Sequence, residues 1–425
     1  MIAFSDERRL PLRPWMIPAF ILEVYAFALA FLQAVGGVRT DEAKYLLNIP
    51  YPHPPLARTI FSLTEFLPFQ EMLWRVILAS VLVQAVWLVW DMGRRLPRPS
   101  RFVLAASWLL SAAVITLGGA ILVATLTALQ GLVLLWLWEC KWEAGKEINF
   151  FSRFPLIHRK EWQACLIGIW WLFSLFTAYQ AVIFLPLVLA LLRRCGTSFP
   201  LRVLYGWLPL GLLGIYTLSN PLAAATMLIH ADDGSSVTAF TRLWGTAKLL
   251  LIAGSGVATV LGLLGLLRRR SRPVLFSFVL LLFFVLGSVP YPYYALLFLP
   301  FLSFGVLHVL DHERLSVTVV LPSLAAAAVV LVFLFPPEFH RSPARAVMQA
   351  IIPRDKQGDI LITHSFGHEW QYESPFTVRH FRRPLMADAQ AIVCQEQCDD
   401  FGFEWKPLSV RGITDLPEVW VRSSP

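Results

Sequence analysis

Long runs of apolar residues alternate with short polar segments over the first 335 residues of the chain. Read with a window of about twenty residues, the length of a bilayer-crossing helix, the runs fall at 14–35, 72–90, 102–138, 162–192, 203–219, 243–267, 273–289, 294–310 and 316–335. This pattern predicts an all-α polytopic membrane protein. Beyond the last run we predict a small α/β domain from strand-like stretches at 358–364, 390–394 and 418–421.

Two runs, 102–138 and 162–192, are too long for a single crossing. A hydrocarbon core about 30 Å thick is crossed by about 20 helical residues, and basic residues flank both runs at both ends. Each run is therefore expected to return to the inner side through a hairpin, with turns at Gly118 and Gly119 in the first run and at 177–180 in the second. The count becomes eleven transmembrane helices.

The basic residues orient this bundle. Predicted inner segments hold twenty Lys and Arg residues and predicted outer loops hold four, so the positive-inside rule places the N-terminus in the cytoplasm and the residues after Phe335 outside. The first span shows no cleavage site and is expected to stay in the protein. We predict a transmembrane domain over 1–338, with a first outer loop at 36–71, and an extracytoplasmic C-terminal domain over 339–425.

Composition supports this division of the chain. Only 15% of the residues are charged and 57% are hydrophobic, whereas soluble domains carry roughly 25% charged residues, which excludes an ordinary soluble enzyme. Residues 341–425 hold ten basic and eleven acidic side chains, as a soluble domain would. The net charge of +8 comes from basic residues that flank apolar runs, so membrane lipids are the expected partners and nucleic acid is not.

Two cysteines, Cys394 and Cys398, lie in the predicted outer domain. An oxidising compartment favours a disulfide between them, and two unpaired thiols are the alternative. None of the three Asn residues begins an Asn-x-Ser/Thr sequence. That absence favours a bacterial inner membrane over a glycosylated eukaryotic one.

The first outer loop carries the most unusual set of polar residues. Asp41 and Glu42 follow the first span directly, and His53 lies in a proline-rich turn that precedes Arg58. Carboxylates at the level of the lipid headgroups are costly unless they are paired or used, which makes them candidates for function. The alternative is a solvated loop in which Asp41 caps a short helix.

This loop resembles the first extracytoplasmic loop of the GT-C glycosyltransferases, specifically the protein O-mannosyltransferase and aminoarabinose-transferase branch. In that branch an Asp-Glu pair after the first helix is followed by His-Pro-Pro-Leu or Lys-Pro-Pro-Leu; here the motif is Asp41 and Glu42, then His53 to Leu56. Residues 172–192 and 287–300 are similar to two further stretches of the family. Eleven helices with an outer tail also match the mannosyltransferase layout.

The resemblance implies transfer of a sugar, with inversion, from a polyprenyl-phosphate donor to a hydroxyl of a glycan, lipid or protein acceptor outside the cytoplasm. The hydroxyl needs a carboxylate as general base, for which Asp41 is the first choice and Glu42 the second. The departing phosphate needs cationic or dipolar partners, and tyrosine rings can stack on a sugar or anchor the chain at the interface. The candidates for binding phosphate or substrate are His53, Arg58, Lys44, Tyr45, Tyr291, Tyr293 and Tyr294.

The sequence departs from the family in one turn. Many members carry a second acidic residue between the third and fourth helices, but residues 116–127 contain none. A metal held between two loops is therefore unsupported, and the cofactor remains unknown. The loop at 220–242 offers His230, Asp232 and Asp233 as substitutes. The other interpretations are a catalytically inactive GT-C-like protein, a transporter or flippase of lipid-linked saccharides, and an outer glycan ligase or polymerase.

Overall fold

The fold is described from a computed structural model of the chain. It describes residues 15–49, 54–140, 160–225, 237–269, 271–313, 315–334, 343–351, 358–363, 367–394, 401–402, 404–408 and 418–422. These residues form a large bundle of helices followed by a small sheet. The predicted mostly helical body is confirmed, and a small sheet follows it.

The first part of the bundle runs from the first span to the first predicted hairpin. Its helices are α1 Met16–Gly36, α2 Thr40–Leu46, α3 Pro55–Ser62, α4 Gln70–Gln84, α5 Val86–Met92, α6 Arg98–Leu109, α7 Ala112–Leu117 and α8 Val123–Glu139. The predicted first outer loop thus contains two short helices, α2 and α3.

The second part of the bundle contains the remaining apolar runs. Its helices are α9 Lys160–Thr177, α10 Leu185–Arg194, α11 Phe199–Arg202, α12 Leu208–Ser219, α13 Ala239–Gly254, α14 Val257–Arg269, α15 Arg272–Gly287, α16 Ala295–His312 and α17 Val317–Leu334. A 3₁₀ segment, Tyr179–Phe184, precedes α10, and a π-helical segment, Val203–Trp207, joins α11 to α12.

Five helical stretches in the described part of the chain are long and apolar enough to cross a membrane. They are Met16–Gly36, Gln70–Met92, Phe199–Ser219, Pro292–His312 and Val317–Leu334. A bent pair, α13 with α14, makes a sixth, and two shorter apolar helices, α8 and α15, accompany them. The chain is therefore a multi-pass membrane protein, although fewer of its helices have full span length than the eleven that the sequence predicts.

Each of the two long runs is broken where the sequence predicts a turn, and the first run has a further, unpredicted break between α6 and α7. In the first run, α7 ends at Leu117 and Gly118 and Gly119 form a turn before α8. A side chain on Gly119 would come within 2.7 Å of the Ala30 backbone, so this turn must be glycine to pack against α1. In the second run, α9 ends at Thr177 and the 3₁₀ segment begins at Tyr179.

The predicted single helix over 243–267 is wrong, because α13 and α14 meet at an angle of 99°. Two consecutive residues with left-handed backbone, Ser255 and Gly256, make the bend. The Ser255 hydroxyl accepts from the Ala112 N–H at 2.7 Å and donates to the Leu110 carbonyl at 2.9 Å. The bend is thus joined to a second helix break, between α6 and α7, and each satisfies polar backbone groups of the other.

The helix α16 forms the centre of the bundle. The stretch Pro292–His312 has 94% of its apolar window buried, against 22% for Met16–Gly36. Its closest neighbour is α14, where a side chain on Gly265 would overlap the backbone of Gly305. Small residues allow such close approach of helix backbones in membranes.

The C-terminal segment forms a five-stranded mixed sheet in the order β2-β1-β3-β5-β4. Its elements are α18 Pro343–Ile351, β1 Asp359–Ile362, α19 His368–Glu373, β2 Val378–His380, β3 Ala389–Cys394, β4 Trp405–Leu408 and β5 Glu418–Arg422. The first three strands of that order are parallel, and β5 and β4 are antiparallel to their neighbours. The three strands that the sequence predicts correspond to β1, β3 and β5.

The helix α18 packs on this sheet through Val347 and Ile351, which join Ile360, Ala391 and Val393 in one buried cluster. Cys394, at the end of β3, is disulfide-bonded. Its predicted partner Cys398 lies outside the described residues, so that pairing remains a prediction.

Candidate active site

The Asp-Glu pair of the first outer loop lies in α2. Gly37, with a φ of 83°, redirects the chain after α1, and α2 begins three residues later. The Arg39 N–H donates to Glu42 Oε2 at 2.9 Å, which satisfies a free donor at the start of the helix. Because successive residues of a helix point about 100° apart, Asp41 and Glu42 face different surroundings.

Glu42 faces the interior of the bundle, and its side chain is only 1% exposed. Its Oε1 accepts from Arg75 Nη1 and from the Ile121 N–H, each at 2.8 Å. Its Oε2 accepts from Arg75 Nη2 at 3.3 Å. Protein donors therefore enclose the carboxylate of Glu42.

Arg75, the partner of Glu42, is completely buried near the N-terminal end of α4. Its guanidinium also donates to the carbonyls of Gly37 and Gly119, each at 3.1 Å, and to Glu71 Oε1 at 2.9 Å. Ile121 and Gly119 belong to the turn in which the sequence lacks the family's second acid. In this chain, the backbone of that turn binds the Glu42–Arg75 pair.

Asp41 faces a cleft instead. Its side chain is 34% exposed, and Oδ1 accepts from Lys44 Nζ at 3.0 Å. The cleft is narrow, with a cavity volume of about 20 Å³. The residues that line it are Asp41, Tyr45, Leu122, Val123, Ala124, Gln180, Tyr293, Tyr294 and Leu297.

The far wall of this cleft belongs to a cluster of three tyrosines at the start of α16. The rings of Tyr291 and Tyr293 stack with centroids 5.4 Å apart, and Tyr294 meets Tyr293 edge-on at 4.9 Å. Tyr293 and Tyr294 line the cleft, whereas Tyr291 backs Tyr293. The structure thus brings four predicted site residues, Asp41, Tyr45, Tyr293 and Tyr294, to one place although about 250 positions separate the two pairs.

Two of the predicted phosphate ligands, Lys44 and Arg58, are described by the structure, and they lie in different surroundings. Lys44 is bound to Asp41 beside the cleft. Arg58 is half-buried on α3, which packs against α2, and has no ion pair within the described part of the chain. His53 lies outside the described residues, as do His230, Asp232 and Asp233. No group of three or more potential metal ligands is found among the described His, Cys, Asp and Glu residues.

Five charged residues alternate in sign from α2 to the C-terminal segment: Glu42, Arg75, Glu71, Arg345 and Glu373. Arg345, on α18, donates to Glu71 Oε2 at 2.7 Å and to both oxygens of Glu373 at 3.0 Å. We call this chain of ion pairs the outer ion network. It connects the predicted transmembrane domain with the predicted C-terminal domain.

The helix α19 completes this contact by packing on α2. The Val38 N–H donates to Glu373 Oε1 at 3.0 Å, and the Thr40 hydroxyl donates to Glu369. Tyr372 packs against the apolar cluster that contains Tyr45. Burial, together with the negative charges of Glu71 and Glu373, raises the pKa of Tyr372 to about 12. The contact between α19 and α2 is thus partly buried.

Sequence reasoning missed both the outer ion network and Gln180. Arg75 and Glu71 carried a signal, because Arg75 lies inside an apolar run, where an ionisable residue indicates a buried partner or a function. Nothing in the sequence marks Arg345 and Glu373 as members of this network, since a soluble domain has many charged residues of this kind. Gln180 was noticed only as part of the polar turn at 177–180.

The architecture of this chain can be compared with that of known proteins. No protein-family model matches the sequence, and no curated protein matches it. A search of solved structures finds ArnT from Cupriavidus metallidurans in the apo state, with a TM-score of 0.57 and 14% identity over 86% of this chain and 85% of that one. ArnT from the same organism bound to undecaprenyl phosphate gives a TM-score of 0.55 and 13% identity over the same shares.

A further match is the arabinofuranosyltransferase AftD from Mycobacteria, with a TM-score of 0.48 and 15% identity over 96% of this chain. The match spans 42% of AftD. ArnT, an aminoarabinose transferase, and AftD both belong to the GT-C superfamily. The likeness to ArnT shows that this protein has the GT-C fold, as the resemblance in the first outer loop implies.

Proposed function

We propose that the protein is a membrane glycosyltransferase that transfers a sugar from a polyprenyl-phosphate donor to an acceptor hydroxyl on the extracytoplasmic side, with inversion. The observation that carries this proposal is the cleft in which the Asp41 carboxylate faces Gln180, Tyr293 and Tyr294. A carboxylate, an amide and tyrosine rings together offer a base, hydrogen bonds and a stacking surface for a sugar. The GT-C fold and the ArnT complex with undecaprenyl phosphate support the choice of donor.

Asp41 is the general base of the proposed reaction, and Glu42 holds α2 in place. Asp41 keeps an exposed face at the cleft, whereas protein donors enclose Glu42. The acceptor oxygen attacks the anomeric carbon while its proton passes to Asp41. The bond from that carbon to the phosphate oxygen breaks, and polyprenyl phosphate leaves with the electron pair. Attack opposite the leaving group inverts the anomeric centre.

The departing phosphate gathers negative charge and needs cations placed in advance. Arg58 is the strongest candidate among the described residues, because it is half-buried and close to α2 without an ion pair there. Lys44 is the second, since its partner Asp41 gains a proton as the phosphate leaves. His53 keeps its predicted place as a third candidate.

The proposed topology has eleven transmembrane crossings, a cytoplasmic N-terminus and a C-terminal domain outside. The paired short helices on either side of 118–119 and 178 support two hairpins. The direct contact between α2 and α19 supports a common outer side for the first loop and the tail. A bacterial inner membrane is the proposed location.

The test uses purified protein in detergent micelles and radiolabelled undecaprenyl-phosphate mannose, glucose, galactose, arabinose and 4-amino-4-deoxyarabinose. The membranes of a deletion strain supply the acceptor. We expect Asp41→Asn to lower transfer by about 10²- to 10⁴-fold, the usual contribution of a positioned base. The matched control is Asp91→Asn, at the inner end of α5, where the carboxylate accepts from Trp136 Nε1 at 2.8 Å; it should leave transfer unchanged.

Unchanged transfer by folded Asp41→Asn would remove Asp41 as the base. Micelles also separate the proposal from a flippase, because they offer no second side to which a lipid could be moved. Absence of transfer by the wild type with all five donors, together with donor movement in sealed vesicles, would favour the flippase.

A further inference from the structure

The helix α2 is held from two sides by different parts of the chain. From the bundle, Arg75 binds Glu42 and the carbonyl of Gly37. From the C-terminal segment, Glu373 accepts from the Val38 N–H, and Arg345 binds the Ala34 carbonyl at the end of α1. The turn between α1 and α2 is therefore fixed at both of its faces.

A helix of seven residues has little stability of its own. The position of α2, and with it the direction of Asp41, must come from these external contacts. The outer ion network supplies the polar ones. In it, Glu71 lies between the two arginines, with Arg75 at Oε1 and Arg345 at Oε2.

The side chains of the outer ion network are partly buried, so their ion pairs depend on geometry. Arg345 is 21% exposed, Glu71 16% and Glu373 10%. Although burial lowers it, the hydrogen bonds and charges of Glu373 and Glu71 raise the pKa of Arg345. Partly desolvated ion pairs of this kind need correct geometry to repay their cost, so the observed contact between the C-terminal segment and α2 depends on the positions of these side chains.

We propose that the C-terminal domain is a working part of the transferase, in which Arg345 and Glu373 are positioning residues that keep the Asp41 carboxylate directed into the cleft. This inference rests on the proposed function. Arg345 acts through Glu71, Arg75 and Glu42, and Glu373 acts through the Val38 N–H. Neither residue lines the cleft.

Loss of Arg345 should therefore lower turnover more than donor binding. The polyprenyl tail binds in the lipid whether or not α2 is well placed, whereas the base is needed only in the transition state. Small misplacements of a catalytic group cost up to about 100-fold in rate. We expect Arg345→Gln to lower kcat by about tenfold or more and to leave the donor KM within about twofold.

The experiment measures Arg345→Gln, Arg379→Gln and the wild type in micelles, with whichever of the five undecaprenyl-phosphate sugars the wild type uses. Arg379→Gln is the matched control, because Arg379 forms an ion pair with Asp359 at 2.7 Å in the same segment, away from α2. Amide hydrogen exchange over residues 37–46 is followed in the same samples. Glu373→Gln is the second variant, since it keeps an acceptor for the Val38 N–H and disturbs folding less.

The expected result is a fall in kcat, together with faster exchange over 37–46, in Arg345→Gln and to a smaller degree in Glu373→Gln, with neither change in Arg379→Gln. Folded variants that turn over within about twofold of the wild type, or that lose turnover without faster exchange at 37–46, overturn the inference. If the wild type transfers sugar and Asp41→Asn does not, a contradicting result from the Arg345 and Glu373 variants overturns this inference and leaves the proposed function intact. If the wild type transfers none, the proposed function itself has failed.

Discussion

Two ion pairs at opposite ends of the helix bundle, on the predicted outer and inner sides, differ sharply in burial. At the outer end, the five members of the outer ion network depend on one another, and its first pair, Glu42 and Arg75, is 1% and 0% exposed. At the inner end, Arg268 and Glu313 form an ion pair whose side chains are 49% and 48% exposed. The first pair is shielded from water, whereas water screens the second.

Other inner arginines lie on tryptophan rings. The guanidinium of Arg194 lies 3.3 Å from the ring centroid of Trp138, and that of Arg101 lies 4.2 Å from the ring centroid of Trp90. Such contacts suit the membrane interface, where long basic side chains reach toward the headgroups. At the predicted inner end these arginines suit anchoring at the interface, whereas at the predicted outer end the charged residues contact the helix that carries Asp41.

The largest effect that this comparison predicts is for Arg75→Met. It leaves Glu42 buried without its cation, which costs about 3–5 kcal/mol of the free energy of unfolding. Equilibrium unfolding in mixed micelles measures the loss. The double variant Arg75→Met with Glu42→Gln should recover part of it, because no buried charge is then unpaired. A loss below about 1 kcal/mol, typical of a surface pair, would contradict the contrast between the two ends.

A smaller effect is expected for Trp138→Leu. It removes the ring under Arg194 and should lower the free energy of unfolding by about 0.5–1 kcal/mol, in addition to any change from packing. A double-mutant cycle with Arg194→Gln isolates the interaction of the two side chains. A coupling energy near zero would show that the observed stacking does not stabilise the inner end.

The smallest effect is expected for Arg268→Ala. Water screens both partners, so the free energy of unfolding should fall by about 1 kcal/mol or less, measured under the same conditions as for Arg75→Met. High salt should reduce even this effect. If Arg268→Ala proved as costly as Arg75→Met, exposure would not be what distinguishes the two ends.

The helical body and the tail could be predicted because their signals are local. Apolar length, basic flanks and the glycines at 118–119 lie within a few residues of the features that they determine, and the turn there is confirmed. The bend between α13 and α14 was missed because two glycines alone do not end an apolar run, although Gly254 and Gly256 flank Ser255. The contacts of the Ser255 hydroxyl with Leu110 and Ala112, far away in the chain, could not be predicted from spacing.

The candidate site likewise combines a local sequence signal with contacts between residues far apart in the chain. The Asp-Glu pair marked the loop, but two adjacent carboxylates look alike until the direction of each is known. Only the folded position of Arg75 separates the enclosed Glu42 from the exposed Asp41. Arg345 and Glu373, about 300 residues from α2, could not be linked to it by any spacing rule.

The buried helix α16 has a consequence for how the protein is made. Its main neighbours, α6, α7, α8, α13, α14 and α15, all precede it in the chain. A ribosome that delivers helices into the membrane in order therefore releases α16 after its surroundings already exist. The contacts that bury α16 can therefore form only after these helices and α16 itself have entered the membrane. The bundle is therefore complete only after α16, one of its last helices, has been inserted.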